Sequence, residues 1–270
     1  MKNKIHELIS SGMKLKSALL TFGLSKSSYF YKSNPRRPRP LIGKLVEALK
    51  SIDGYELVYG YRKVTHWLAR QGMKFNPKAV YRHMKALKML QPKKRKGIKP
   101  TSLPYSPPTA SNQRWEADFT MVPAGIDGSA WAVGFIDCFD KEVLGDSFSD
   151  RCRADEAIEA FEKAIGARFP NGIPEGFILT LRADRGSQFI AKKFKESAKL
   201  FNVKLEFCGI QTPNDKPYIE SFISKYKGEE VYRNEYANFS EAKAGWIKYI
   251  NWYNITRLHQ SLNYKTLKVK

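Results

Sequence analysis

Cysteine is scarce: only Cys138, Cys152 and Cys208 occur, without paired spacing, and none precedes residue 138. That excludes a disulfide framework, and it excludes a zinc module of His and Cys around His6, His66 or His83. Long apolar runs are missing too. No stretch approaches the roughly 18 apolar residues of a membrane span, and the early run Ala18 to Leu24 is short and follows Glu7, unlike a secretory signal. Together these absences lead us to expect reduced thiols in a cytoplasmic protein with no membrane partner. Acidic residues are nearly absent from residues 1–110, which hold 4 Asp+Glu against 24 Lys+Arg, a net of +20. Residues 111–270 hold 22 against 23, a net of +1.

So one-sided an excess attracts polyanions, and for a protein of this composition the expected partner is nucleic acid. Two proline-rich basic stretches, Asn34 to Pro40 and Gln91 to Pro108, cannot sustain helix or sheet ladders and read as extended linkers. They divide the chain into an expected helix-turn-helix-like segment at 1–33, a linker at 34–40, a second such DNA-binding domain at 41–90, a linker at 91–110 and a third part, which we divide into a core at 111–235 and a helical extension at 236–270. In the first segment Ile5, Leu8, Ile9, Leu15, Ala18 and Leu19 recur at helical spacing, and Gly23-Leu24-Ser25 opens a further short helix. In the second, Val64, Trp67 and Leu68 mark an apolar face, Gly72 ends the helix, and Asn76-Pro77 provide an N-cap and an N1 proline for the next. There Val80, Met84 and Leu87 can pack while Lys78, Arg82 and Lys85 face outward, as a recognition helix requires.

From Gln113 the pattern changes. Apolar runs at Gln113 to Thr120, Ala130 to Asp137 and Glu142 to Phe148 read as an antiparallel meander. A helix from Ala154 to Ala167, a strand Phe177 to Ala183, a helix Phe189 to Phe201 and a strand Lys204 to Cys208 follow, indicating an α/β fold with a mixed five-stranded sheet and flanking helices. Asp118 falls near the end of the first strand and Asp184 at the end of the fourth, so adjacent strands would bring their carboxylates together. Glu220 lies in a helical pattern in which Tyr218, Phe222 and Tyr226 recur, and 35 residues separate it from Asp184. Three carboxylates without His or Cys suit hard Mg²⁺ or Mn²⁺, two ions in a phosphoryl-transfer site. Asp137 and Asp140 compete for that role; they read instead as turn residues opening the hairpin to Glu142. Asn254, Arg257 and His259 read as structural, and Gly186 as a residue permitting a tight or left-handed turn after Asp184.

This order, with a base (Lys227) seven positions after the Glu, resembles the DDE pattern of retroviral integrases and bacterial insertion-sequence transposases. WEADFT, ADRGSQF, TPNDKPYIESF and WYNITRLHQSLNYKT are similar to segments of the second-reading-frame transposases, as is YGYRKVTHWLARQG, so the likeness spans residues 40 to 266. Leu267 departs from it, standing where many relatives have proline. The resemblance implies a ribonuclease H-like core in which Asp118, Asp184 and Glu220 are catalytic and hold metal, Arg185 and Lys227 meet DNA phosphate, and no covalent protein intermediate forms. It implies double-stranded DNA partners (element terminal repeats and a target), a homo-oligomer in the synaptic complex, and fusion to or pairing with an upstream-frame product. A structure-specific nuclease of the same fold and an inactive DNA-binding regulator are the alternative functions.

Overall fold

Gly12 and Gly23 adopt positive φ and close the first two helices of the chain. In the computed structural model, which describes residues 1–32, 40–92, 107–209 and 215–267, these helices are α1 (Lys2–Ser10) and α2 (Leu15–Thr21), followed by α3 (Lys26–Phe30). The Ser25 hydroxyl accepts from the Ser28 N–H at 3.1 Å and so caps α3. Ile5, Ala18 and Leu19 form a small core of their own. Met1–Ile42 and Gly43–Lys270 are separate compact units. Most of each expected linker, residues 33–39 and 93–106, lies outside the described residues.

The second unit begins with α4 (Gly43–Lys50), α5 (Tyr61–Arg70) and α6 (Pro77–Ala86). The expected cap of α6 forms: the Asn76 side chain accepts from the Lys78 N–H at 2.9 Å, with Pro77 in the first turn. Val80 and Met84 are buried, Leu87 partly so, and Lys78 and Lys85 are exposed.

The sheet is built from β1 (Arg114–Pro123), β2 (Ser129–Asp137), β3 (Val143–Ser149), β4 (Thr180–Ala183) and β5 (Lys204–Phe207), in the order β3-β2-β1-β4-β5. The first three strands are antiparallel; β1, β4 and β5 are parallel. Period-2 alternation splits β1 between two cores. Trp115 and Ala117 face the core under α7 (Ala154–Arg168), α8 (Ser187–Ile190) and α9 (Lys192–Leu200), whereas Val122 joins the core beneath α10 (Pro217–Glu229) and α11 (Phe239–Ile255).

That second core also takes in α4 to α6. Trp252 donates to the Glu56 carboxylate at 3.0 Å, the Tyr59 hydroxyl accepts from the Leu258 N–H at 2.9 Å, and His66 stacks on Tyr264 at 4.0 Å. The helical segment 43–90 and the C-terminal helix therefore bury their apolar faces against each other.

On the opposite face α7 approaches β3 so closely that a Cβ on Gly145 would stand 2.1 Å from the Ala160 carbonyl oxygen and 2.5 Å from the Ala164 nitrogen. Both obstacles are backbone, so neither can rotate away. Gly145→Ala is expected to destabilise the core by about 3 kcal/mol, read as a lower urea midpoint at unchanged slope. A midpoint equal to wild type would show that α7 floats freely on the sheet.

Candidate active site

Asp118 sits in the middle of β1, not near its end as expected, because the strand continues to Pro123. Pairing with β4 covers only Arg114 to Glu116, opposite Thr180 to Arg182. Two residues further along the same register, Asp118 comes level with Asp184, which leaves the end of β4. The parting of the two strands makes the cleft, and the parallel register puts one carboxylate on each side of it.

An ammonium group bridges them. Lys216 Nζ lies 3.0 Å from Asp118 Oδ1 and 3.3 Å from Asp184 Oδ2, and 3.5 Å from the Ala117 carbonyl. Its side chain is 7% exposed against 21% for Asp118 and 47% for Asp184, so the lysine plugs the floor and Asp184 forms the rim. A cation ahead of a helix N-terminus opposes the helix dipole. Lys216 nonetheless occupies the N-cap position of α10, and only the facing carboxylates make that tolerable. Burial works to lower the Lys216 ammonium, but Asp118 and Asp184 outweigh it and hold its pKa above the ordinary value. Burial raises the Asp118 carboxyl, with the Asp184 charge adding and Lys216 opposing.

Gly186 has φ −57° and ψ 145°, so of the tight or left-handed turn expected after Asp184 the left-handed form is absent. The Gly186 N–H donates to Asp184 Oδ1 at 2.8 Å, and a Cβ there would stand 2.8 Å from that same oxygen.

Glu220 occupies the first turn of α10 and is exposed. Burial raises its carboxyl; Lys216 opposes, and Asp118 and Glu116 add. Lys216 reaches it only at longer range, without an ion pair, and among the described residues no group of three His, Cys, Asp or Glu side chains is placed to hold one metal ion. The structure thus joins Asp118 and Asp184 through Lys216 and leaves Glu220 beside them.

What holds Glu220 there is a residue that motif spacing did not single out. Glu116, fully buried two positions before Asp118, accepts from the Tyr218 N–H at 2.8 Å and the Ile219 N–H at 2.9 Å. It caps α10 from across the sheet and ties the Asp118 strand to the Glu220 helix. The available signal was its alternation with Asp118 on one strand face, beside a proline-led helix whose own N-cap residue, Lys216, cannot accept.

The competing residues are structural. Asp137 accepts from the N–H groups of Phe139, Asp140 and Asn112 at 2.6 to 2.8 Å, and Asp140 pairs with Arg168 at 3.0 Å. Asn254 clamps the Val143 backbone with both ends of its amide. Arg257 holds Glu229 by two hydrogen bonds, and His259 is buried. Of the residues expected to touch DNA, Arg185 is exposed with Nε 3.4 Å from the Cys208 carbonyl, Lys227 is half-buried two turns beyond Glu220, and Arg82 is half-buried on α6.

The chain thus has a mixed sheet of this order, with acids where β1 and β4 part and a glutamate helix capped from β1, and its family makes it a polynucleotidyl transferase. Comparison with known families shows that family: an Integrase core domain matches residues 108–213, including Asp118 and Asp184, a second Integrase core domain matches 202–266, including Glu220, and an HTH-like domain matches 44–97. The chain belongs to the DDE transposases of insertion sequences, and its reaction is DNA cleavage and strand transfer. It is similar to the insertion element IS407 31.7 kDa protein of Burkholderia multivorans, 26% identical over 90% of this chain and 84% of that one. It is also similar to the transposase for insertion sequence element IS629 of Shigella sonnei, 24% identical over 81% of this chain and 75% of the other. Among solved structures, the HTLV-2 integrase catalytic core domain in complex with magnesium is 18% identical, with a TM-score of 0.45, over 59% of this chain and 96% of that chain. No described helix is long and apolar enough to cross a membrane.

Proposed function

We propose that Asp118, Asp184 and Glu220 are the catalytic carboxylates and that they hold two divalent ions, Mg²⁺ or Mn²⁺. The observation that carries this is the Lys216 ammonium between Asp118 and Asp184, since the pair is a ready cation receptor. The donors are oxygens only, as hard divalent ions prefer. When bound, such ions acidify the attacking hydroxyl group and offset charge on the leaving oxygen. The chain's own contribution is to aim Asp118 and Asp184 from two strands, to bring Glu220 in on a capped helix, and to line the approach with Arg185 and Lys227. Lys78, Arg82 and Lys85 on α6 contact DNA away from the reacting bond, which assigns 41–90 to DNA binding, 111–235 to chemistry and 236–270 to packing the two together.

Two displacements account for the reaction. Water attacks a phosphodiester at the element end, forming one P–O bond and breaking another to release a 3′-hydroxyl. That hydroxyl then attacks a target phosphodiester, expelling the target's 3′-oxygen. Incubation of the protein with labelled terminal-repeat duplex and MgCl₂ tests this: nicked strands and longer joined strands are expected. Nicked strands alone would identify a nuclease, and neither product would identify a binding protein.

Lys216 stands where a divalent ion would enter, so a cation must displace its ammonium. A variant lacking that charge, Lys216→Met, is expected to bind Mn²⁺ roughly tenfold more tightly, about 1.4 kcal/mol. Isothermal titration without DNA measures this independently of activity. Equal or weaker binding by the variant would remove Lys216 as a competitor.

A further inference from the structure

Beside the carboxylates, on the adjoining face of α10, lies a second cleft of about 740 Å³. Its walls come from α5, α10, the β2–β3 turn and the chain after α11, and four cations line it: Lys63, Lys141, Lys225 and Arg257. Asp137, Glu116 and Asp140 offset Lys141 from the β1–β2 side, and one carboxylate, Glu229, acts on Lys63 and Lys225. Glu229 is already taken by the two hydrogen bonds of Arg257 and by the Tyr249 hydroxyl at 2.9 Å. The direct partners of the lysines are uncharged. Lys63 lies over the Tyr59 ring at 4.6 Å, Lys225 donates to the Ser221 hydroxyl, and Lys141 covers the Tyr218 ring and donates to the Cys138 carbonyl. Among the described residues, no carboxylate lies within ion-pair distance of Lys63, Lys141 or Lys225.

Ammonium groups removed from water without a counter-charge are costly. Burial, then Arg257 and Lys225, pushes the Lys63 ammonium down to about 7 against the opposing pull of Glu229. Burial, then Arg257, with Lys141 adding and Glu229 opposing, pushes Lys225 down to about 8. His259, on the same wall, is pushed down to about 3 by burial and by Arg257, Lys63 and Lys225, so it stays neutral. Lys141 has carboxylates of its own nearby, but Lys63 and Lys225 repel Arg257 across an open cleft and lack a direct counter-charge. Tyr218, Ser221 and Lys225 present it on the helix that carries Glu220, about a third of a turn round from that carboxylate.

We propose that this cleft is a phosphate site for the DNA backbone, in which Lys63 and Lys225, steadied by Arg257, grip a phosphodiester of the strand that reaches α10. The proposal rests on the transposase reading and adds to it a holding point separate from the carboxylates. A phosphate entering the cleft supplies the missing counter-charge, so both lysines return to the ammonium form and the complex takes up protons. Binding therefore strengthens as pH falls from above 8 to 7.

The test is binding of a fluorescein-labelled 30-base-pair duplex in EDTA, followed by anisotropy over a salt series, for wild type, Lys63→Met, Lys225→Met, the double variant and Lys225→Arg. Each Met variant is expected to weaken binding about three- to tenfold and to reduce the salt slope by about one, whereas Lys225→Arg stays near wild type. Unchanged thermal unfolding of the Met variants confirms that they fold. Calorimetry of the wild type in two buffers of different ionisation heat should show net proton uptake between pH 7 and 8, and the double variant should lose it. A parallel arm with inorganic phosphate separates the sources: a Lys63- and Lys225-dependent response to phosphate with unaltered duplex binding overturns a DNA site. Met variants that match wild type in affinity and salt slope overturn it too. A wild type that binds no DNA would instead remove the transposase reading, and because the assay excludes divalent ions, failed cleavage does not bear on it.

Discussion

Asp118→Asn, Asp184→Asn and Glu220→Gln are each expected to lower strand cleavage and joining by about 10³-fold or more while leaving duplex binding at least as tight as wild type. Each substitution keeps the shape and removes one negative charge. Loss of the charge weakens the cation receptor, and it also removes repulsion of the DNA backbone, so binding and chemistry should move apart. The three differ in their effect on the fold. Asparagine at 118 or 184 takes an ion-pair partner from the Lys216 ammonium, which lies 3.0 and 3.3 Å from the two aspartates, so both variants should unfold at lower temperature. Glutamine at 220 breaks no direct ion pair with Lys216, whose charge reaches Glu220 only at longer range, and should unfold close to wild type. Product formation within tenfold of wild type by all three proteins would remove these residues from the chemistry.

The carboxylates were legible because strand alternation and parallel register obey simple periods. Asp118 and Asp184 meet through a pairing that runs Arg114 to Thr180 and Glu116 to Arg182, and all five strands lie within a few residues of the apolar runs that announce them. Where the reading departs from the structure, tertiary contacts decide. The strand expected from Phe177 starts at Thr180, because its β1 neighbour begins only at Arg114. The helix expected over Phe189 to Phe201 breaks at Ala191, whose ψ is 142°. Phe189 and Phe194 are both buried, and at five residues apart they cannot share one face of an unbroken helix.

Lys216 and Glu116 were not legible for a different reason. A lysine before a proline reads as a helix flank, and a glutamate on a strand reads as solvent-facing, unless the opposing element is known. Each is explained only by the other's element: Lys216 leaves the N-cap of α10 to reach the β1 and β4 acids, and Glu116 leaves the β1 face to supply the cap that Lys216 cannot.

Glu116→Ala is accordingly expected to cost about 2 to 3 kcal/mol, since it strips acceptors from two buried helix N–H groups, and to slow cleavage about a hundredfold by loosening the turn that carries Glu220. A carboxylate suits this place because the amino end of α10 concentrates partial positive charge. Its charge also raises the neighbouring Cys138 thiol, after burial, which is the larger cause. Glu116→Gln keeps one acceptor oxygen at the same reach, so it should recover more than half the stability and most of the rate. A purely structural glutamate would lower the amount of folded protein and leave the turnover of the folded fraction alone. A positioning glutamate lowers kcat at constant KM for DNA, because duplex binding does not pass through the α10 cap. Rates are therefore compared per folded molecule, at a temperature where both variants are native. Equal kcat for wild type, Glu116→Gln and Glu116→Ala under those conditions would show that α10 holds Glu220 in place without help from β1.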